Sequence, residues 1–168
     1  MNAEVTRTKP EIEPAIYFGA VVAGVLSILP YISLLFFIVY IAGALAAVWF
    51  ATKKSEQFLT YKDGAKLGFL SVFYGVMGAV IVVDIIWQFF DYQLWQKQNG
   101  DFLLAIFNLF ANPSTLDAMK VGMAQNASKP FAWYIIILQV IVGAICAAIF
   151  SAPSGVLGVK LFQPRAVR

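Results

Sequence analysis

Asp84 is the residue whose type and position most suggest chemistry. It lies near the end of the apolar run from Leu67 to Phe90, where a charge is costly because hydrocarbon solvates it poorly. Gln88 follows one helical turn later, and Gln139 falls at a similar depth in a later antiparallel span. We therefore expect Asp84 and Gln139 to approach each other. Their contact is either a structural hydrogen bond or part of a polar pocket, and a snorkelling Asp84 carboxylate is the other alternative.

The remaining chemical inventory argues against catalysis. The sequence has no histidine, so it lacks the commonest metal ligand, the usual haem ligand and the usual general base. The serines have no histidine partner, the acids are scattered, and no phosphate-binding glycine loop follows a strand. We expect a protein that is not an enzyme and holds no metal or cofactor. Lipid or pigment contacts stay open because phenylalanine, tyrosine and tryptophan make up 15% of the chain.

The composition indicates a membrane protein. Of the 168 residues, 61% are hydrophobic and 12% are charged, whereas soluble domains carry about 25% charged residues. The net charge is +3 without a long basic run, so nucleic acid is not an expected partner. The single cysteine, Cys146, excludes an intrachain disulfide. The polar first residues do not resemble a signal peptide, so we expect the first apolar segment to be retained.

Apolar runs predict four transmembrane helices. The first of them is short for about 30 Å of hydrocarbon, so we expect it to tilt little or to thin the bilayer locally. The apolar stretch from 15 to 51 is too long for one crossing and is interrupted by Pro30, so a hairpin of two helices is expected there. The predicted division is a polar tail at 1–13, helices at 15–29, 32–51, 67–90 and 131–152, a cytoplasmic loop at 52–66, an outer loop at 91–130 and a basic tail at 156–168.

Local signals predict where helices begin and end. Pro14 suits the first turn of the first helix, and Thr60 with Asp63 matches a capping box that would start the third helix. The Asn99-Gly100 pair is a helix stop signal, and Pro153 with the glycines after it predicts a loosened end of the last helix.

The outer loop is predicted to hold short interfacial helices. The segment from Phe102 to Phe110 is apolar but too short to span. After Asn112 and Pro113, the residues Leu116, Met119 and Met123 fall on one face of a second short helix.

The distribution of lysine and arginine predicts the orientation. With four spans, nine of the twelve basic residues share a side with both termini and the 52–66 loop, and three lie on the other side. A three-span division would split them five against seven. The positive-inside rule therefore favours four spans with cytoplasmic termini.

Small residues at a spacing of four predict the packing faces of the helices, because close backbone approach replaces the hydrophobic drive that lipid cannot supply. We expect most of these stripes to pack within the bundle. A stripe left facing outward, as a docking face for another protein, is the alternative. The positions are Ala15, Gly19, Ala23, Ser27, Gly68, Ser71, Gly75, Ala79, Gly143, Ala147 and Ser151.

The layout resembles a group of small, uncharacterised bacterial inner-membrane proteins that share a domain of unknown function. The shared features are an apolar hairpin, a short basic loop, a glycine-rich start to the third helix (Thr60 to Gly68 here), a polar outer loop and a last span with a basic tail. The resemblance implies an all-α, polytopic fold with four transmembrane helices in two hairpins. It also implies a bacterial inner membrane, and it implies no reaction.

These observations favour an accessory or scaffold subunit of a larger membrane protein complex, with membrane lipids and other membrane subunits as partners. Such a subunit would contact its partners through small-residue faces and the outer loop. The first alternative is a small transporter or channel component with a polar pocket around Asp84 and Gln139. The second alternative is a lipid- or pigment-contacting membrane protein.

Overall fold

The described part of the chain is helical throughout, with turns between the helices. The computed structural model describes residues 12–29, 31–32, 35–56, 58–90, 94–127 and 134–163, and none of these residues forms a β-strand. The all-α class is therefore confirmed. The helices are α1 (Glu13–Ile28), α2 (Phe36–Trp49), α3 (Tyr61–Phe90), α4 (Leu94–Asn108), α5 (Pro113–Ala127), α6 (Tyr134–Cys146) and α7 (Ala152–Phe162), with π-helical turns at Phe50–Lys54 and Ala147–Ser151.

Three helical stretches are long and apolar enough to cross a membrane, namely Phe36–Lys54, Tyr61–Phe90 and Tyr134–Phe162. They make this chain a membrane protein, and their exposed apolar side chains suit contact with lipid. The apolar helix α1 has 16 residues and extends about 24 Å at 1.5 Å per residue, less than the hydrocarbon thickness. Its crossing, and with it the fourth span, stays a prediction.

The predicted starts of the first and third helices are found in the structure. Pro14 lies in the first turn of α1. At α3, the backbone N–H of Thr60 donates to Asp63 Oδ2 at 3.0 Å, and the backbone N–H of Asp63 donates to Thr60 Oγ1 at 3.1 Å. These reciprocal bonds form the expected capping box, and they satisfy donors that the start of a helix leaves unpaired.

The predicted helix stop at Asn99-Gly100 is wrong. Both residues lie inside α4, which begins at Leu94 and ends at Asn108, so this helix is longer than the predicted segment from Phe102 to Phe110. Asn99 is fully buried and accepts a hydrogen bond from the backbone of Tyr31. A long-range contact outweighs the local turn preference of this pair.

The last helical stretch also differs from expectation, because it continues through Pro153 to Phe162 and includes part of the predicted tail. Proline lacks an N–H and its ring crowds the carbonyl one turn earlier. The chain accommodates Pro153 by widening into the π-helical turn Ala147–Ser151 and then restarting as α7, with Pro153 in the first turn. The Ser154 hydroxyl donates to the Phe150 carbonyl at 2.6 Å, one of the ways in which a membrane helix satisfies carbonyls near a proline.

Helix α3 is the centre of the bundle and packs against α1, α2 and α7. Its buried stripe begins with Gly64, Leu67 and Gly68 and continues to Asp84. Two apolar clusters form the core. One includes Val48, Leu67 and Val159, and the other includes Val39, Tyr40 and Val72.

Candidate functional site

Asp84 and Gln139 lie together between α3 and α6. The Asp84 side chain is only 6% exposed, and a side-chain hydrogen bond joins it to Gln139. Because a carboxylate can only accept, the amide NH₂ of Gln139 is the donor of this bond. The antiparallel courses of α3 and α6 bring the two residues to one depth.

Each of the two side chains also has a buried oxygen without a hydrogen-bonding partner among the described residues. These atoms are Asp84 Oδ2 and Gln139 Oε1. Both are acceptors, so neither can satisfy the other directly. A buried acceptor without a donor is costly, and it is more costly in lipid, where water is scarce. The arrangement can therefore bind a proton, a donor group or a cation.

Gln88 does not share this environment. Its side chain is exposed on α3, one turn beyond Asp84. The structure thus brings together two of the three intramembrane polar residues that the sequence suggested.

Helix α6 packs along α3 through a small residue. Gly143 is the only buried residue that α6 contributes, and a methyl group there would lie 2.6 Å from Met77 Cε. The large apolar side chains of α6 face outward, and among them Tyr134 and Ile137 are 69% and 63% exposed. The polar pair therefore lies beside one of the most sparsely covered helices of the described bundle.

The predicted small-residue stripes lie inside the bundle. Ten of the eleven positions are buried, and Ser27 is half-buried with its hydroxyl donating to the Ala23 carbonyl at 2.7 Å. A methyl group on Gly19 would meet Ala47 Cβ at 2.6 Å and the Gly43 carbonyl oxygen at 2.8 Å. These stripes bring helices of the same chain together, and none of them is exposed as a docking face.

A second site, between Tyr31 in the connection from α1 to α2 and helix α4, was not expected from the sequence. The backbone N–H of Tyr31 donates to Asn99 Oδ1 at 2.9 Å, and the rings of Tyr31 and Phe102 meet edge to face with centroids 5.0 Å apart. Tyr31 has a φ of 65°, which is unfavourable for a residue with a bulky side chain. The positive φ of Tyr31 coincides with these two contacts to α4. No local pattern predicts this, because Tyr31 and Asn99 are far apart in sequence.

Helices α4 and α5 form a hairpin with an apolar tip. Leu109 and Phe110 at the tip are 76% and 85% exposed. Asn112 starts α5, and its side-chain oxygen accepts from the backbone N–H of Thr115 at 2.9 Å and from the hydroxyls of Ser114 and Thr115. The tip is therefore a defined turn that presents two large apolar side chains.

The described residues contain no group of three or more histidine, cysteine, aspartate or glutamate side chains that could hold a metal ion. No protein-family model, curated protein or solved structure matches this chain. The features that could indicate its function are therefore the Asp84–Gln139 pair and the hairpin formed by α4 and α5.

Proposed function

We propose that this chain is a non-catalytic accessory or scaffold subunit of a larger membrane protein complex in the bacterial inner membrane. The outer hairpin α4–α5 is the docking surface, through Leu109 and Phe110 at its tip. The exposure of these two side chains is the observation that carries the proposal.

Two features of the hairpin support a docking role. Contiguous large apolar side chains on a surface mark interaction sites more often than isolated ones do. In addition, the hydrogen bond from the Tyr31 backbone N–H to Asn99 connects α4 to the rest of the described bundle. The sequence suggested two docking surfaces, the small-residue stripes and the outer loop. Because the stripes pack within the bundle, the hairpin α4–α5 in the outer loop is the surface that remains.

The proposal includes an orientation. Helix α1 crosses the membrane as a short fourth span, and both termini lie in the cytoplasm, because this arrangement places nine of the twelve basic residues on one side. A short span of this kind is accommodated by local thinning of the bilayer. The hairpin then faces the opposite, outer side.

The test is purification from native membranes in a mild detergent, followed by mass spectrometry and size-exclusion chromatography. We expect a stoichiometric complex that persists in the wild-type protein and dissociates when Phe110→Ser is introduced. The matched control is Val121→Ser, which alters an exposed apolar residue of α5 away from the tip and should leave the complex intact. Isolation of the wild-type chain as a monomer or homo-oligomer would contradict the proposal.

If Phe110→Ser changes only the partition of the protein into lipid vesicles, the tip binds the membrane surface, and the subunit role is likewise contradicted.

A transporter or channel component is the second candidate, and the unpaired oxygens of Asp84 and Gln139 favour it. In reconstituted vesicles, Asp84→Asn should then abolish solute or ion flux, while Gln88→Leu, at an exposed position one turn further along the same helix, should preserve it. Equal flux in wild-type protein and Asp84→Asn would eliminate this candidate.

A further inference from the structure

We propose that Asp84 and Gln139 form a proton-binding site, in which one proton on Asp84 Oδ2 closes a ring of two hydrogen bonds between a carboxylic acid and an amide. The ligand is the proton itself, taken up from hydronium with release of water. The inference holds whether or not the chain transports a solute or docks to a partner.

The bonding pattern of the pair carries the inference. The amide NH₂ of Gln139 bonds to the carboxyl group of Asp84, and Oδ2 is the carboxyl oxygen without a partner, so Oδ1 is the acceptor. The two oxygens left over are Asp84 Oδ2 and Gln139 Oε1, one on each planar group. A single hydrogen on Oδ2 turns one acceptor into a donor and satisfies both oxygens at once.

Among the described residues, no positively charged side chain pairs with Asp84. The next charged residue on α3 towards its start is Lys66, and α6 carries no charged side chain from Tyr134 to Cys146. Helix α4 contributes Lys97 and the exposed Asp101 by sequence. Of the described residues, Gln139 is the one that interacts with the Asp84 carboxyl.

The remaining titratable groups on α6 and on the part of α3 that follows Lys66 are Tyr74, Tyr134 and Cys146. Tyr74 and Tyr134 are largely exposed, and Cys146 lies about two turns beyond Gln139 along α6. None of them supplies a positive charge. A proton is therefore the neutralising partner that this environment favours.

A proton also suits the site better than a metal cation. Hard cations such as Ca²⁺ and Mg²⁺ take about six or more oxygen ligands, whereas this site presents two unpaired oxygens. A proton needs only one donor atom and one acceptor atom.

The proton has a structural consequence, because the pair contributes directly to the contact between α3 and α6. Gly143 is the one residue that α6 buries, against Met77, and Gln139 is half-buried. Loss of the proton would leave a negative charge between apolar helices and weaken this contact. The site therefore couples protonation of Asp84 to the position of α6.

Infrared difference spectroscopy of the full chain in lipid tests the proposal. At neutral pH, the wild-type spectrum should contain a protonated-carboxyl C=O band that is absent from Asp84→Asn. The band should move to lower frequency in D₂O. In Gln139→Leu it should move to higher frequency, because the carbonyl loses its hydrogen bond. The matched control is Asp117→Asn, which removes an exposed carboxyl paired with Lys120 and should leave the band unchanged.

Two results would overturn the proposal. One is a wild-type spectrum without the band, in which Asp84→Asn instead removes a carboxylate band. The other is loss of the band on addition of Na⁺ at constant pH, which would identify a cation site. A band that survives Na⁺ and shifts in Gln139→Leu supports proton binding, and this readout does not depend on activity or on complex formation.

Discussion

Gly64 on α3 and Gly155 on α7 lie backbone against backbone. A methyl group built on either residue would overlap the carbonyl oxygen of the other. Gly68, one turn further along α3, meets Ser151 and Gly155 in the same way. Such close approach is how helices gain van der Waals contact in lipid. It depends on the continuation of the last helix past Pro153, because Gly155 belongs to α7.

Gly155→Ala should destabilise the protein by about 1–3 kcal/mol, since the backbone of Gly64 cannot move aside as a flexible side chain would. The measurement is unfolding by denaturing detergent, followed by circular dichroism. Gly78→Ala is the control, because nothing lies within 4 Å of a methyl group at that exposed position. The control should be neutral or stabilising by up to about 1 kcal/mol, as alanine favours helix more than glycine does. Equal destabilisation by both variants would contradict the proposed contact.

The hydrogen bond between Asp84 and Gln139 should appear as a coupling energy in a double-mutant cycle. With Asp84→Ala, Gln139→Ala and the double variant, we expect a coupling of about 0.6 kcal/mol and at most about 1.7 kcal/mol, the range for hydrogen bonds between membrane helices. The same unfolding assay measures it. Strictly additive effects would show that the two side chains do not interact in the folded protein.

Thr60→Ala should destabilise the start of α3 by about 0.5–2 kcal/mol, because the hydroxyl accepts from the backbone N–H of Asp63. Thr60→Ser keeps that hydroxyl and should retain nearly all of the stability. Amide hydrogen exchange across residues 60–64 reports the change locally. Faster exchange in both variants would assign the effect to the methyl group of Thr60 instead.

Asn99→Ala should release α4 from Tyr31, which lies in the connection between α1 and α2. The variant leaves the backbone N–H of Tyr31 without its acceptor, at a cost of about 1 kcal/mol. We expect faster amide exchange at Tyr31 and faster proteolysis within α4. Asn108→Ala, an exposed position on the same helix, is the control. Unchanged exchange at Tyr31 in Asn99→Ala would argue against this anchor.

Cysteine labelling in intact cells should decide the number of spans. In a Cys146→Ser background, the cysteines of Ala3→Cys and Lys53→Cys should be protected from an impermeant reagent, and that of Asp117→Cys should react. This result requires α1 to cross the membrane, because positions 3 and 53 then share a side. Labelling at position 3 with protection at position 53 would establish three spans instead.

Several features of this protein could be read from the sequence because they depend on neighbouring residues alone. Apolar length predicts that membrane-crossing helices lie within Tyr61–Phe90 and Tyr134–Phe162, and the spacing of Thr60 and Asp63 predicts the capping box. Counting residues along two antiparallel helices also predicted that Asp84 and Gln139 lie at a similar depth in the membrane. Each of these inferences uses only helix geometry and the cost of polar groups in hydrocarbon.

Other features were decided only by the tertiary structure, because they depend on which surfaces meet. The Asn99-Gly100 pair by itself predicts the end of a helix. In the structure Asn99 is buried against Tyr31, and α4 continues through both residues. Pro153 predicts the end of a helix. In the structure a π-helical turn precedes the proline, the Gly64–Gly155 contact follows it, and the helix continues to Phe162. The sequence determined the helical, membrane-embedded class and the candidate polar pair. The packing of α3 against its neighbours decided where the last helix ends and which oxygens of that pair were left without a donor.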